Sequence, residues 1–170
     1  MKQLCVLAAG AIVVVLGATH VRSAGPSVVI VSLQRIATQS NAGKRAIQQL
    51  ETLRQERGRE LTVKQKELED VVRQAAKDTL AAVDRDRLSQ DENRRRAELQ
   101  QLTSQAQSDY QNTQSRLQAE LRAQINPILA DIAKRYGVDV MLNSDTAVAW
   151  AASGTDTTDE VLQRLNATPQ

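Results

Sequence analysis

Sparse apolar residues recur at helical spacing through the middle of the chain, from residue 44 to about residue 136. Glu, Gln, Arg, Lys, Ala and Leu dominate this stretch, and these side chains lose little rotamer freedom in a helix. Apolar positions stand eleven residues apart in each half: Leu50, Leu61, Val72 and Val83, then Leu99, Tyr110, Leu121 and Ile132. The same face of the second half also carries Leu102, Ala106, Leu117, Ile125 and Ile128. Eleven residues in three turns is about 3.67 per turn, which predicts coiled-coil helices in a nearly straight or slightly right-handed pairing.

A break in the middle of this stretch predicts a helical hairpin. Residues 83–87 lose the apolar rhythm and alternate in charge, and Ser89 and Glu92 then have the spacing of a capping box. We therefore expect one arm from residue 44 to about residue 82 and a second from Ser89 to about residue 136. At 1.5 Å per residue, each arm would be roughly 60 Å long. The alternative is one continuous rod in which Ser89 and Glu92 are ordinary surface residues.

Short β-type segments flank the arms. Residues 27–31 are mostly β-branched and apolar, which predicts a buried strand. A turn or short helix is predicted at residues 32–36, and a loop at residues 40–43. Beyond the arms, Gly137 predicts a helix C-terminus. Two further strands are predicted at residues 138–142 and 146–151, and a last helix is predicted at residues 161–165.

The predicted fold class is therefore α+β, with a small β-strand body and a long antiparallel α-helical coiled-coil hairpin inserted between its first and second strands. Residues 24–170 form one domain, in which the body comprises residues 24–43 and 127–170 and the arm residues 44–126. Three short strands with bare edges favour oligomerisation through the body. Pro127 lies where arm meets body, and we expect a bend there.

The first 23 residues have the features of a signal peptide. Lys2 precedes a thirteen-residue apolar run from Leu4 to Leu16, which is short for a membrane span. We expect cleavage near Ser23 or Ala24 and export to the periplasm. An uncleaved N-terminal anchor is the alternative.

Cleavage changes the chemistry that the chain can perform. The only Cys (Cys5) and the only His (His20) leave with the signal peptide, which excludes Ser-His and Cys-His nucleophiles and metal sites with nitrogen or sulfur ligands. The Gly43-Lys44 pair lacks the first Gly and the Ser or Thr of a phosphate loop. Carboxylates on the arms alternate with Lys and Arg, as on a solvated helix face. We therefore expect neither an enzyme nor a cofactor.

Charge is balanced in the expected mature chain but unevenly distributed. Loss of Lys2 and Arg22 leaves 20 basic residues against 20 acidic ones. Basic residues collect near the predicted bend: Arg85, Arg87, Arg94, Arg95 and Arg96. Such a cluster can bind phosphate. Interleaved acids and the absence of stacking aromatic residues argue against a nucleic-acid partner, and pairing with neighbouring acids is the plain structural alternative.

The chain resembles the Skp/OmpH family of periplasmic chaperones along essentially its whole mature length. The residues that carry the resemblance are the strand 28–31 with residues 32–35, the Gly43-Lys44 entry to the first arm, and segments 133–142 and 158–166. The family is often markedly basic, and this chain departs from it in being near neutral once processed.

The resemblance implies a jellyfish-shaped homotrimer whose strands share a barrel-like body and whose hairpins enclose a cavity for unfolded outer-membrane proteins. It implies an ATP-independent holdase, with membrane lipid or the barrel-assembly machinery as further candidate partners. The basic cluster near the bend would contact clients. Body residues expected to be buried within or between subunits are Val29, Val31, Val140, Leu142, Val148 and Trp150. The alternative function is a coiled-coil scaffold of the cell envelope that does not bind unfolded proteins.

Overall fold

The structure, a computed structural model, describes residues 28–77, 79 and 81–168. The predicted signal peptide lies outside these residues. The elements in chain order are β1 (Val28–Val31), α1 (Leu33–Gln39), α2 (Asn41–Ala75), α3 (Ala82–Tyr136), β2 (Val140–Asn143), α4 (Ser144–Ala147) and α5 (Thr158–Ala167). Helices α2 and α3 pack against each other as the predicted long hairpin.

The two strands form a small parallel sheet, with Val28 opposite Val140 and Val31 opposite Asn143. Parallel neighbours require a long crossover connection, and the hairpin is that connection. The predicted insertion of the arms between the first and second strands is thus confirmed. The segment before α5 extends the sheet by two hydrogen bonds: the Ile30 N–H donates to the Thr155 carbonyl at 2.9 Å, and the Thr157 N–H donates to the Ile30 carbonyl at 3.0 Å.

The strand predicted at residues 146–151 is wrong. Residues Ser144–Ala147 form the single helical turn α4, and the following residues up to Ala151 are irregular. The Asn143 side chain caps this turn by accepting from the Asp145 N–H at 3.1 Å. Local capping therefore overrides the β propensity of the β-branched residues that follow.

A tight corner joins α1 to α2. The buried Ser40 hydroxyl caps α2 by accepting from the Gly43 N–H at 3.0 Å, so α2 begins at Asn41, three residues earlier than expected. A Cβ on Gly43 would lie 2.0 Å from the Ala37 carbonyl oxygen. Only glycine lets the two helices approach this closely.

The body core is built mainly from helices. Ile36 of α1, Ile132 of α3 and Leu165 of α5 are almost completely buried together. The rest of the buried cluster is Val31, Ile125 and Val161. Truncating such a side chain to Ala typically costs about 2–5 kcal/mol. The body is thus held by the end of α3 packed against α1, α5 and β1.

Helix α3 continues across Pro127 and ends at Gly137, as predicted for its C-terminus. Gly137 is left-handed (φ 65°), and the Val138 N–H donates to the Ala133 carbonyl at 3.0 Å while the Gly137 N–H donates to the Lys134 carbonyl at 3.2 Å. This bonding is a Schellman motif. The arm boundary predicted from Pro127 therefore falls inside a helix that serves both arm and body.

The predicted helix start at Ser89 is wrong. Helix α3 begins at Ala82, after Ala81 in an extended conformation, and Ser89 lies about two turns inside it. Charge alternation in residues 83–87 does not stop a helix, because these side chains tolerate helical geometry and Asp84 near the N-terminus suits the helix dipole. The hairpin turn lies instead between Ala75 and Ala82.

The contact between the arms follows a different repeat from the one predicted for α2. Its partly or fully buried positions include Leu50, Arg57, Lys64 and Val71, which stand seven residues apart. Val72 and Val83, expected on the same face, are 38% and 78% exposed. Arg57 and Lys64 are only partly exposed, and long charged side chains can cover apolar surface with their stems, so a pattern of apolar residues alone missed two positions of the contact. On α3 the predicted apolar face is buried or partly buried except at Tyr110.

Asp145 connects the two halves of the body. Its carboxylate accepts from the Ser32 hydroxyl at 2.6 Å and from the Gln34 N–H at 2.8 Å, at the start of α1. These hydrogen bonds lower the pKa of Asp145 below its ordinary value, and the one from Ser32 has the largest effect. The ionised carboxylate is therefore favoured by folding.

We predict that Asp145→Asn lowers the melting temperature at neutral pH. Because the folded-state pKa is depressed, the stabilisation is complete above the ordinary pKa of about 4 and is lost as pH falls through the lower folded-state value. The difference in melting temperature between wild type and variant should therefore shrink below about pH 4. Asp139 is exposed, and Asp139→Asn serves as the control for the loss of one negative charge. A difference that stayed constant with pH would contradict the prediction.

Candidate functional site

Ion pairs join the two arms, one near the middle of α2 and one nearer its C-terminal end. The Arg57 guanidinium donates to Asp109 at 2.8 Å, and the Arg95 guanidinium donates to Glu67 at 2.8 Å. Both pairs cross from α2 to α3 and fix how the arms align along their length. Charge pairing therefore adds to the apolar contacts that join the arms.

The Arg95 guanidinium is the centre of the outermost network. It also pairs with Asp91 at 3.0 Å, and Glu67 pairs with Lys64 at 3.1 Å. The hydrogen bond from Lys64, with the charges of Lys64 and Arg95, lowers the pKa of Glu67. Arg95, with Arg94, lowers the pKa of Asp91. The ionised forms of both carboxylates, Glu67 and Asp91, are therefore favoured in the folded chain.

The structure separates the predicted arginine cluster into three environments. Arg95 is partly buried in the network between the arms. Arg94 and Arg96 are exposed and pair within α3, Arg94 with Asp91 and Arg96 with Glu92. Arg85 and Arg87 are exposed in the first two turns of α3, with no carboxylate within 4 Å in the described part of the chain. Of the five arginines, these two are therefore the ones whose charge is not already paired with a carboxylate of the described residues.

Apolar side chains are also exposed along the arms. Ile47, Val63 and Tyr110 are 51%, 56% and 37% exposed, in addition to Val72 and Val83. The apolar spacing assigned Val72, Val83 and Tyr110 to the contact between the arms, and it did not single out Ile47 or Val63. For the α2 residues Ile47, Val63 and Val72, the signal that could have found them is the heptad of Leu50, Arg57, Lys64 and Val71, which leaves them outside the contact.

The predicted body residues divide between the core and the surface. Val29 and Val31 are buried within the chain, and Val148 is half-buried. Val140, Leu142 and Trp150 are 48%, 37% and 82% exposed. Leu142, Val148 and Trp150 line a shallow apolar surface beside the sheet, together with Val28, Ile30 and the alanines around Trp150. Their burial between subunits stays a prediction.

The described residues contain neither a cluster of metal ligands nor a membrane-spanning helix. Within residues 28–77, 79 and 81–168, no three side chains of the His, Cys, Asp and Glu types come together as a metal site would require. The helices of that same part are all too short or too polar to cross a bilayer.

Comparison with known proteins gives a family and a fold. The family model described as "Outer membrane protein (OmpH-like)" matches residues 27–165. A crystal structure of a candidate outer membrane chaperone (OmpH-like) from Caulobacter crescentus CB15 is similar with a TM-score of 0.74 and 23% sequence identity. The match covers 84% of this chain and 85% of that one. No curated protein matches the sequence.

We predict that Arg95→Gln loosens the outer half of the hairpin. Loss of the cross-arm pair should raise amide hydrogen exchange roughly two- to fivefold in residues 61–75 and 82–99, because exposed ion pairs contribute modestly to local stability. Arg94→Gln is the matched control, since Arg94 pairs only within α3 among the described residues. Equal exchange in the two variants would contradict a role for Arg95 in holding the arms together.

Proposed function

Because this chain belongs to the OmpH-like family of outer membrane proteins, we propose that it is a chaperone, and specifically an ATP-independent holdase of the periplasm. Its clients would be unfolded outer-membrane β-barrel proteins, kept soluble before insertion. The family match over residues 27–165 is the observation that carries this proposal. The candidate chaperone role of the Caulobacter protein is consistent with it.

The hairpin has physical properties that support holding an unfolded chain. Its contact between arms uses charged residues at several positions, which leaves apolar side chains such as Val72 and Val83 exposed. Unpaired barrel strands aggregate through exposed apolar and backbone groups. Many weak contacts with the arms would cover such strands without fixing one client structure.

Binding without catalysis is consistent with the residues available. From residue 27 to residue 170 the sequence contains neither His nor Cys. We infer that the protein acts by binding alone, needs no cofactor and has no nucleic-acid partner. A coiled-coil scaffold of the envelope is the alternative, which requires no affinity for unfolded chains.

A homotrimer joined through the body is part of the proposal. In the described part of the chain, the segment before α5 pairs with the free edge of β1 and no strand pairs with the outer edge of β2, and so small a sheet is marginally stable alone. The apolar surface around Trp150 would be covered by neighbouring subunits. Three hairpins gathered in this way would enclose the client and keep it from other unfolded chains.

We predict that the mature protein suppresses aggregation of an outer-membrane barrel protein diluted from urea, with nucleotide absent. Light scattering measures the effect. Equal scattering with and without the protein would favour the scaffold alternative.

The tip arginines provide the electrostatic part of the same experiment. Replacing Arg85 and Arg87 with Gln should weaken suppression modestly and reduce its dependence on salt, because exposed charges are screened over roughly 8 Å at physiological ionic strength. Arg116→Gln, at an exposed position nearer the body, is the control.

We predict a native mass of three chains at micromolar concentration and a blue-shifted emission from Trp150, the only tryptophan. Trp150→Asp should dissociate the trimer, because it would place a charge in an apolar interface. Val83→Asp, at an exposed arm position, should leave the mass unchanged. A stable folded monomer in the wild type, measured by sedimentation, would contradict the shared body.

A further inference from the structure

The middle of helix α2 contains a glycine that packing does not require. Gly58 lies inside α2, and a Cβ at this position would meet nothing within 4 Å, in contrast to Gly43 at the corner. Glycine is the poorest helix former after proline, because its backbone loses the most conformational freedom on folding. Gly58 therefore makes α2 easier to bend at this point and adds nothing to the packing.

Thr62 weakens the helix in the same turn. Its hydroxyl donates to the Gly58 carbonyl at 2.8 Å. A helix carbonyl that also accepts from a side chain shares its hydrogen-bonding capacity, and such back-bonding slightly destabilises helices and often bends them. Both residues therefore act on the turn formed by residues 58–62.

Polar residues occupy the contact between the arms at this level. Arg57 of α2 pairs with Asp109 of α3, and Thr113, one turn farther along α3, is also partly buried. Partly buried leucines lie on either side of Arg57 in α2, Leu53 toward the body and Leu61 toward the tip. Ion pairs that are partly exposed contribute less to stability than buried apolar contacts. The link between the arms at the level of the glycine is therefore a weak one.

Arg57 has two partners and can lose one of them. Its guanidinium donates to Asp109 across the arms at 2.8 Å and to Glu60 of its own helix at 2.7 Å. Both carboxylates raise the pKa of Arg57, and the hydrogen bond to Glu60 has the largest effect. The Arg57 Nε is buried without a hydrogen-bond partner among the described residues, so this arrangement leaves one donor unsatisfied. Arg57 can therefore release Asp109 and still keep its charge paired.

The outer ion pair lies in a part of α2 without these features. Arg95 and Glu67 also join the two arms, but glycine occurs in α2 only at positions 43 and 58. The glycine, the threonine that bonds to its carbonyl and the arginine with two partners all fall within residues 57–62. This segment is therefore the part of α2 that is suited to bending.

We propose that each hairpin has a joint at residues 57–62, about which the outer part of the arm bends relative to the part nearer the body. Arg57 controls the joint: in the straight arm it joins α2 to Asp109, and in the bent arm it keeps Glu60 alone. Helix α3 follows the bend by gentle curvature, as long helices do. The joint is a property of the free hairpin and does not depend on the proposed function.

Amide hydrogen exchange of the free mature protein distinguishes a joint from fraying. Bending breaks backbone hydrogen bonds of residues 58–62, so we expect these amides to exchange roughly fivefold faster than those of residues 48–53 and 66–71, after correction for intrinsic rates. Fraying from the tip would instead make exchange fall steadily toward the body. A steady gradient in the wild type would overturn the proposal.

Gly58→Ala should slow exchange in residues 58–62 about fivefold and abolish the local maximum, because alanine favours the helix and the position has room for its methyl group. Ser104→Ala, at an exposed position inside α3, is the matched control for helix propensity. Both variants should have a slightly higher melting temperature by circular dichroism, but only Gly58→Ala should change residues 58–62. A local maximum that persisted in Gly58→Ala would contradict a joint at this residue.

Removing the two partners of Arg57 should have different effects. Asp109→Asn removes the link across the arms and should raise exchange in residues 58–62 about two- to fivefold. Glu60→Gln removes the partner that remains in the bent arm, and should leave exchange unchanged or lower it by up to about twofold. If both ion pairs merely stabilised the helices, both substitutions would raise exchange. Equal increases would therefore overturn the role of Arg57.

Salt tests the same step independently. Raising NaCl from about 50 mM to about 500 mM should raise exchange in residues 58–62 about twofold in the wild type and leave Asp109→Asn unchanged, because screening weakens the pair that is released. Glu120→Gln, which breaks a pair with Arg116 inside α3, should respond to salt as the wild type does. An equal rise in Asp109→Asn and wild type would contradict release of Asp109. Failure of these tests leaves the chaperone function standing, since the aggregation assay decides that function separately.

Discussion

Burial of Ile125 and Ile132 in the body is the interaction on which the rest of the structure depends. These residues belong to the same helix that forms one arm, so the arm is an extension of the core and needs no separate attachment. Because α3 is one helix, the packing of its C-terminal end in the body also sets the direction of the arm. The corner at Ser40 and Gly43 fixes the start of the other arm in the same way.

Apolar burial decreases with distance from this core. Leu117 is the last strongly buried residue of α3 in the direction of the tip, and on α2 Val71 is an isolated one. Between them, ion pairs such as Arg57–Asp109 and Arg95–Glu67 hold the arms. Apolar contacts persist in salt, whereas exposed ion pairs are weakened by screening. Contacts at the base of the hairpin therefore change little with salt concentration, whereas the ion pairs farther out are weakened as salt rises.

Much of this fold could be predicted from helix propensity, spacing and the Gly137 cap, because these signals are local. The turn of the hairpin could not be placed, since Ala81 marks the start of α3 by backbone conformation and has no capping side chain. The register of the contact was also missed, because Arg57 and Lys64 occupy positions where an apolar pattern expects Leu or Val. The prediction of a strand at residues 146–151 was wrong because Asn143 caps a helical turn that begins just before it.

The parallel pairing of β1 with β2 has a consequence for the order of folding. The paired strands are separated by the entire hairpin, so β1 leaves the ribosome more than a hundred residues before its partner exists. The hairpin contains only contacts between consecutive helices and can form while synthesis continues. Once formed, it brings the ends of α2 and α3 together at the base, which greatly shortens the loop that must close for the strands to pair. The arms thereby prepare the assembly of the body, and the nascent β1 remains without its strand partner until β2 has emerged.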